Sequence, residues 1–166
     1  MEGAEVRPAH PSDAERLTEI YNHYVLNAHY SFDLDPMSVA ERRIWMEHYG
    51  ARGRHQLLVA ARQGHVVAYV SSSPFRPKAA YLTSVETSIY VDPGFTGQGI
   101  GSRLYQELFQ RLEAEDVHRA YAGIALPNPA SEALHLKAGF VKVAHFTEQG
   151  RKFGRFWDVV WYERAV

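Results

Sequence analysis

At 166 residues, 46% hydrophobic and 13% aromatic, the chain has the apolar mass for one cored domain and too little length for two; the composition excludes disorder. A formal charge of -1 with no block of like charges leaves no footprint for nucleic acid, and no run approaches the roughly 18 apolar residues of a membrane-spanning helix. The absence of cysteine excludes disulfides, thiolate metal sites and a cysteine nucleophile.

In chain order, EVRPA (Glu5 to Ala9) reads as a first strand. SDAE (Ser12 to Glu15) reads as a capping box opening a helix with Leu17, Ile20, Tyr21 and Tyr24 on one face. A second box, SVAE (Ser38 to Glu41), predicts another helix to about Tyr49. QLLVAA (Gln56 to Ala61) and HVVAYVSSS (His65 to Ser73) flank Gln63-Gly64 and predict a hairpin. In LTSVETSIYV (Leu82 to Val91) Val85, Thr87, Ile89 and Val91 share one face, and Ser84, Glu86, Ser88 and Tyr90 the other.

VDPGFTGQGIG then passes into a helix carrying Leu104, Tyr105, Leu108, Phe109 and Leu112. RAYAGIA (Arg119 to Ala125) reads as a strand, Asn128-Pro129 as the start of a helix to about Ala138 that Gly139 ends, and FVKVAHF and FWDVVWYE as the last strands. The predicted order is β-α-α-β-β-β-α-β-α-β-β, a mixed α/β (α+β) fold with a single central sheet, in one domain spanning 1–166. The nine histidines, from His10 to His145, form no HxxxH or HExxH pair, so no metal is expected. MEGAEVRPAH lacks the basic and apolar segments of a secretory leader, so a cytoplasmic protein is expected.

A strand ending at Val91, a glycine-rich turn and a helix starting near Gly99 make an anion site, because the first N–H groups of a helix have no internal partner and the dipole is positive there. A P-loop requires Gly-Lys-Ser/Thr, whereas Gly99-Ile100-Gly101-Ser102 has no lysine. A dinucleotide fingerprint requires G-x-G-x-x-G on a first strand, whereas Gly97-Gln98-Gly99-Ile100-Gly101 follows a central one. A tight strand-to-helix connection without a ligand is the plain alternative.

The stretch resembles the V-x-P-x-x-(Q/R)-x-x-G-x-(G/A) signature of the GNAT superfamily of N-acetyltransferases, with Val91, Pro93, Gly99 and Gly101 on matching positions and Thr96 where relatives carry Gln or Arg. LPNPASEALHLKAGF (Leu126 to Phe140) is similar to a second element of that superfamily, matching at Asn128, Ser131, Leu134, His135, Gly139 and Phe140. Segments from NHY (Asn22 to Tyr24) through PFRPKAAY (Pro74 to Tyr81), ETSIYV, the Gly101 to Tyr105 spacing and LPNPAS to KFGRFWDV (Lys152 to Val159) resemble the phosphinothricin and methionine sulfoximine/sulfone acetyltransferases.

The resemblance implies a GNAT fold, with a mixed, mostly antiparallel sheet flanked by helices. It implies acetyl-CoA as donor, its pyrophosphate held by Val91, Thr96, Gly97, Gln98, Gly99, Ile100, Gly101 and Ser102, and its pantetheine arm by Asn128 and Ser131. Glu86, the only acid in its strand, aligns with the family's catalytic glutamate, its alternative being a solvated or ion-paired carboxylate. His135 stands where relatives place the residue that protonates the leaving thiolate, its alternative being a partly buried helix histidine. The backbone around Tyr90 to Asp92 would supply donors to the acetyl oxygen. Arg76, Lys78 and Lys152 would clamp an amino-acid-like acceptor beside Phe32 and Phe75, unless they are ordinary solvated charges. The expected activity is direct acetyl transfer in a ternary complex to the amine of a small amino-acid-like molecule; a protein N-terminus or polyamine acceptor, or a non-catalytic CoA sensor, are the alternatives. A homodimer, with no nucleic-acid or membrane partner, is expected.

Overall fold

A computed structural model describes residues 3–166; Met1 and Glu2, part of the expected 1–166 domain, lie outside the described residues. Among the described residues, seven strands, β1 (Glu5–Pro8), β2 (Leu57–Arg62), β3 (His65–Pro74), β4 (Ser84–Val91), β5 (Arg119–Ala125), β6 (Val141–Lys152) and β7 (Arg155–Ala165), form one sheet in the order β1-β2-β3-β4-β5-β7-β6. The helices are α1 (Ala14–Asn27), α2 (Val39–Met46), α3 (Ile100–Leu112) and α4 (Pro129–Lys137). The order matches the one read from the periodicities, and every strand pair is antiparallel except β4–β5.

Local chemistry explains most of the boundaries. Ser38 and Glu41 form the reciprocal box that opens α2, and Asn128 caps α4 by accepting from the Ser131 amide at 3.2 Å. Gln63 and Gly64 both take left-handed backbone, as a two-residue hairpin turn demands. The expected Ser12–Glu15 box is corrected. Arg7 grips the Asp13 carboxylate at 2.8 and 2.9 Å, and that carboxylate also accepts from the His10 amide. The capping box therefore joins His10 and Asp13 around a 3-10 turn, and α1 begins at Ala14. The last two strands run longer than FVKVAHF and FWDVVWYE, because β6 continues through a bulge between Phe146 and Gly150.

The sheet separates two apolar layers. On one face α3 buries Leu104, Tyr105, Leu108, Phe109 and Leu112 against Leu58, Ala60, Val70, Val85 and Ala120. On the other, Leu17 and Ile20 of α1 pack with Leu57, Val59, Val66 and Tyr69. Between β4 and β5 the sheet is barely joined, the parallel ladder running only from Ser84–Arg119 to Glu86–Tyr121. Beyond it, β5 stays paired with β7 along its whole length. The end of β4 is drawn toward α1 instead. Tyr24 donates to the Val91 carbonyl, and Arg16 bonds the Val66 carbonyl at 2.9 Å and pairs with Asp92.

Candidate active site

Where β4 and β5 part, a cleft of about 590 Å³ opens. One wall is Thr87 to Val91, the other Gly123 to Ala125; the glycine loop and α3 close one end, and α4 with Asn128, Ser131 and His135 lies alongside. The two facing walls are unpaired strand edges. The Asp92 amide donates to the Val67 carbonyl at 2.8 Å, so Asp92 is spent and is not among the donors expected from Tyr90 to Asp92. That bond also fixes the parity of the β3–β4 ladder. Tyr90 bonds back to β3, while Ile89 and Val91 turn their N–H groups toward β5, which has already diverged. Two amides at the end of β4 thus face the cleft without a strand partner.

The loop builds the anion site from the other end. Asp92 caps a short 3-10 turn by accepting from the Gly94 amide at 2.8 Å. Gly97 (φ 73°) and Gly99 (φ 78°) then take left-handed backbone, and α3 starts at Ile100 with no side chain on its first amides. A Cβ at either glycine would meet nothing within 4 Å, so conformation rather than space requires glycine there. Gly101 differs. A Cβ there would lie 2.9 Å from Leu134, so it sets the approach of α3 to α4. Thr96, Gly97, Gly99, Ile100, Gly101 and Ser102 all line the cleft, and so do Val91, Asn128 and Ser131. The side chain of Gln98 does not. It is turned outward to Arg62.

His135 is buried in the cleft wall with both ring nitrogens engaged. Its Nδ1 lies 2.7 Å from the Ser131 carbonyl, which only accepts, so Nδ1 carries the proton. Its Nε2 then accepts from the Tyr105 hydroxyl at 2.8 Å, and Thr87 adjoins Tyr105 at 3.1 Å. Burial lowers the His135 pKa, with the Ser131 bond opposing. The imidazole is therefore held neutral.

Glu86 stands on the opposite face, on the last β4–β5 rung before the strands part. Its cross-strand neighbour is Ser73, followed by Ser71 opposite Ser88 and Tyr69 opposite Tyr90, a polar column on the α1 side of the sheet. Burial raises the Glu86 pKa and the nearby Arg76 partly offsets it. Arg76 and Lys78 are exposed just past β3, and Phe75 stacks on Tyr121, the partner of Glu86, with ring centroids 4.3 Å apart. Phe32 sits on the α1–α2 connection against Gly150.

Lys152, expected among the acceptor's clamps, is 3% exposed, and its ammonium donates to the Ser31 carbonyl at 2.6 Å, fastening that connection to β6. Periodicity alone misses Tyr24, Tyr30 and Phe95, which line the cleft, and Tyr105, which reads as one more apolar position of α3. The signal for Tyr105 is its hydroxyl, which a fully buried phenol must satisfy.

Comparison with known proteins agrees with this geometry. Residues 16–140 match the model of the acetyltransferase (GNAT) family. The chain is 52% identical over 164 residues to a phosphinothricin N-acetyltransferase of Streptomyces coelicolor, covering 98% of this chain and 96% of that one. It is 31% identical over 160 residues to an L-methionine sulfoximine/L-methionine sulfone acetyltransferase of Pseudomonas aeruginosa, with 96% and 93% covered. The crystal structure of a GNAT superfamily phosphinothricin acetyltransferase from Sinorhizobium meliloti, in complex with acetyl-CoA, superposes with a TM-score of 0.94 at 34% identity, covering 99% of this chain and 89% of that one.

Proposed function

Because this chain belongs to the GNAT family of acetyltransferases, we propose that it moves the acetyl group of acetyl-CoA directly to the primary amine of a small amino-acid-like acceptor of the phosphinothricin or methionine sulfoximine/sulfone kind. The observation that carries the reading is the parted sheet. A pantetheine arm laid along β4 would fill the missing strand position, with the pyrophosphate on the Gly97–Ser102 amides. The complex of the Sinorhizobium meliloti relative supports acetyl-CoA as the donor.

An amine with a pKa near that of lysine is neutral in only about one molecule in a thousand at neutral pH, a cost of roughly 4 kcal/mol. Glu86, across β4 from the cleft, takes that proton, directly or through a water in the Ser73–Ser88 column. The amine nitrogen then bonds to the acetyl carbon and the carbonyl oxygen gains charge, which the Ile89 and Val91 amides receive. The C–S bond breaks and the thiolate departs on the His135 side. The nitrogen sheds its second proton as it becomes an amide, and the thiolate takes one up; His135, whose Nε2 accepts from the Tyr105 hydroxyl at rest, can relay that proton to sulfur once the Tyr105 bond turns away. Arg76 and Lys78 receive the acceptor's anionic groups, beside Phe75 and Phe32. With no cysteine to carry an acetyl group, a ternary complex is the natural route.

Thiol release from acetyl-CoA, measured across phosphinothricin, methionine sulfoximine, methionine sulfone, common amino acids, a polyamine and an N-terminal alanine peptide, tests the reading. Turnover is expected with the first three, with initial-rate lines that intersect. Parallel lines would overturn the ternary route. Turnover confined to the peptide or the polyamine would overturn the acceptor class, and none above background would leave a CoA-binding sensor.

A further inference from the structure

Arg62 stands at the end of β2, outside the cleft, opposite His65 at the mouth of the Gln63-Gly64 hairpin turn. Its Nη1 donates to Gln98 Oε1 at 2.6 Å, and among the described residues it has no carboxylate partner. Gln98 lies between the two left-handed glycines that line the cleft. We propose that Arg62 is a positioning residue for acetyl-CoA: it fixes the Gly97–Gly99 turn in its ligand-binding shape by gripping the side chain of Gln98.

Phe95 and Ile100 pack on the core at either end, but the four residues between them have few ties of their own. Thr96, Gly97, Gln98 and Gly99 are exposed, and a Cβ on either glycine would touch nothing, so packing does not choose their conformation. Two glycines within three residues carry large conformational freedom, which ordering must overcome. Thr96 donates only to the Pro93 carbonyl, and the Gln98 amide group only to the Gly94 carbonyl at 3.4 Å. Both bonds stay within the loop. Among the described residues, the Arg62–Gln98 bond is the side-chain tie from these four residues to the sheet, and it is anchored on the last β2–β3 rung, next to the buried Ala61 and Val66.

A loop that samples several shapes binds with an affinity reduced by the fraction of time it is competent. Loss of the tie is therefore expected to weaken acetyl-CoA binding while leaving the chemistry of bound substrates in place. The proposal rests on the cleft taking acetyl-CoA, so the parent protein titrated with acetyl-CoA by calorimetry is the first measurement. No binding by the parent would overturn that reading, and this proposal with it. Given binding, Arg62→Ala and Gln98→Ala are each expected to raise the acetyl-CoA Kd and KM about tenfold, the equivalent of one charge-assisted hydrogen bond, with kcat and the acceptor KM within about twofold. Since the two side chains share one bond, the double variant is expected to be no worse than either single one. Arg62→Lys, which can still donate to the same oxygen, is expected to recover most of the loss. Unchanged affinity in Arg62→Ala, or additive losses in the double variant, would overturn the positioning role. A loss in Arg62→Ala with none in Gln98→Ala would also overturn it, assigning Arg62 a direct charge effect instead.

Discussion

Burial disfavours the charged form of both Glu86 and His135, and so moves their pKa values in opposite directions, up for the carboxyl and down for the imidazole. For Glu86 the folded protein holds its proton to higher pH than the unfolded chain does, so stability falls as pH rises from the ordinary carboxylate range through the raised value. Ionised Glu86 is thus a stability cost at neutral pH. Glu86→Gln is expected to cut kcat at least about tenfold, general-base effects running typically from about a hundredfold upward, with acetyl-CoA affinity unchanged and the melting temperature equal or higher at neutral pH. Unchanged turnover would remove Glu86 as the base. For His135 the sign reverses. The unfolded chain binds a proton below about pH 6.5 that the folded imidazole resists, so stability is lost as pH falls through that range. His135→Gln is expected to flatten the acid side of the stability curve relative to the parent, leaving the contributions of His29 and His55, which burial shifts the same way. Denaturant melts between pH 5 and 7 check this; parallel curves for the two proteins would show that His135 is not held neutral.

Helices and loops divide by whether their determinants are local. The Ser38–Glu41 box is spelled in four consecutive residues and forms as spelled, and Ser38→Ala is expected to cost about 1 kcal/mol, a fall of roughly 2–4 °C in melting temperature. No shift would mean that packing alone holds α2. The box at the start of α1 was misread because Arg7, on a strand, redirects Asp13, and nothing within the helix announces that partner. The burial of Lys152 is hidden from local sequence for the same reason at longer range, its hydrogen-bond partner Ser31 lying 121 positions away. Glu86 and the glycine loop were legible because strand alternation and left-handed glycines are properties of short segments. At Gly99 the need is conformational, so even alanine, which meets no neighbour, is expected to cost about 1–2 kcal/mol in the free protein and to weaken acetyl-CoA binding. Calorimetric titration of Gly99→Ala distinguishes this from a loop that is only a connection, for which affinity would be retained.

Across the whole molecule, a seven-stranded sheet is joined at its centre by three rungs of parallel ladder, Ser84–Arg119 to Glu86–Tyr121. Each side has its own ladders, β1 to β4 and β5 to β7, and the α3 core runs beneath both, from Leu58 and Val70 to Ala122 and Val160. The wedge between them is a standing defect in the sheet. A ligand pairing with the free edge of β4 would remove it, and on the proposed placement the donor would act as a structural element as well as a reactant. Binding only the folded state, acetyl-CoA at a hundred times its Kd is expected to add about 2.7 kcal/mol of stability. Any tight ligand does as much, so the location of the protection is the sharper test. In hydrogen exchange, the Ile89 and Val91 amides, which face the gap, are expected to slow markedly when acetyl-CoA is added. The Asp92 amide, already bonded to Val67, is expected to change little beyond the global stabilisation. Equal protection at all three would mean that the ligand stabilises the fold without lying along β4, and the proposed placement of the pantetheine arm and of the oxyanion donors would fail together.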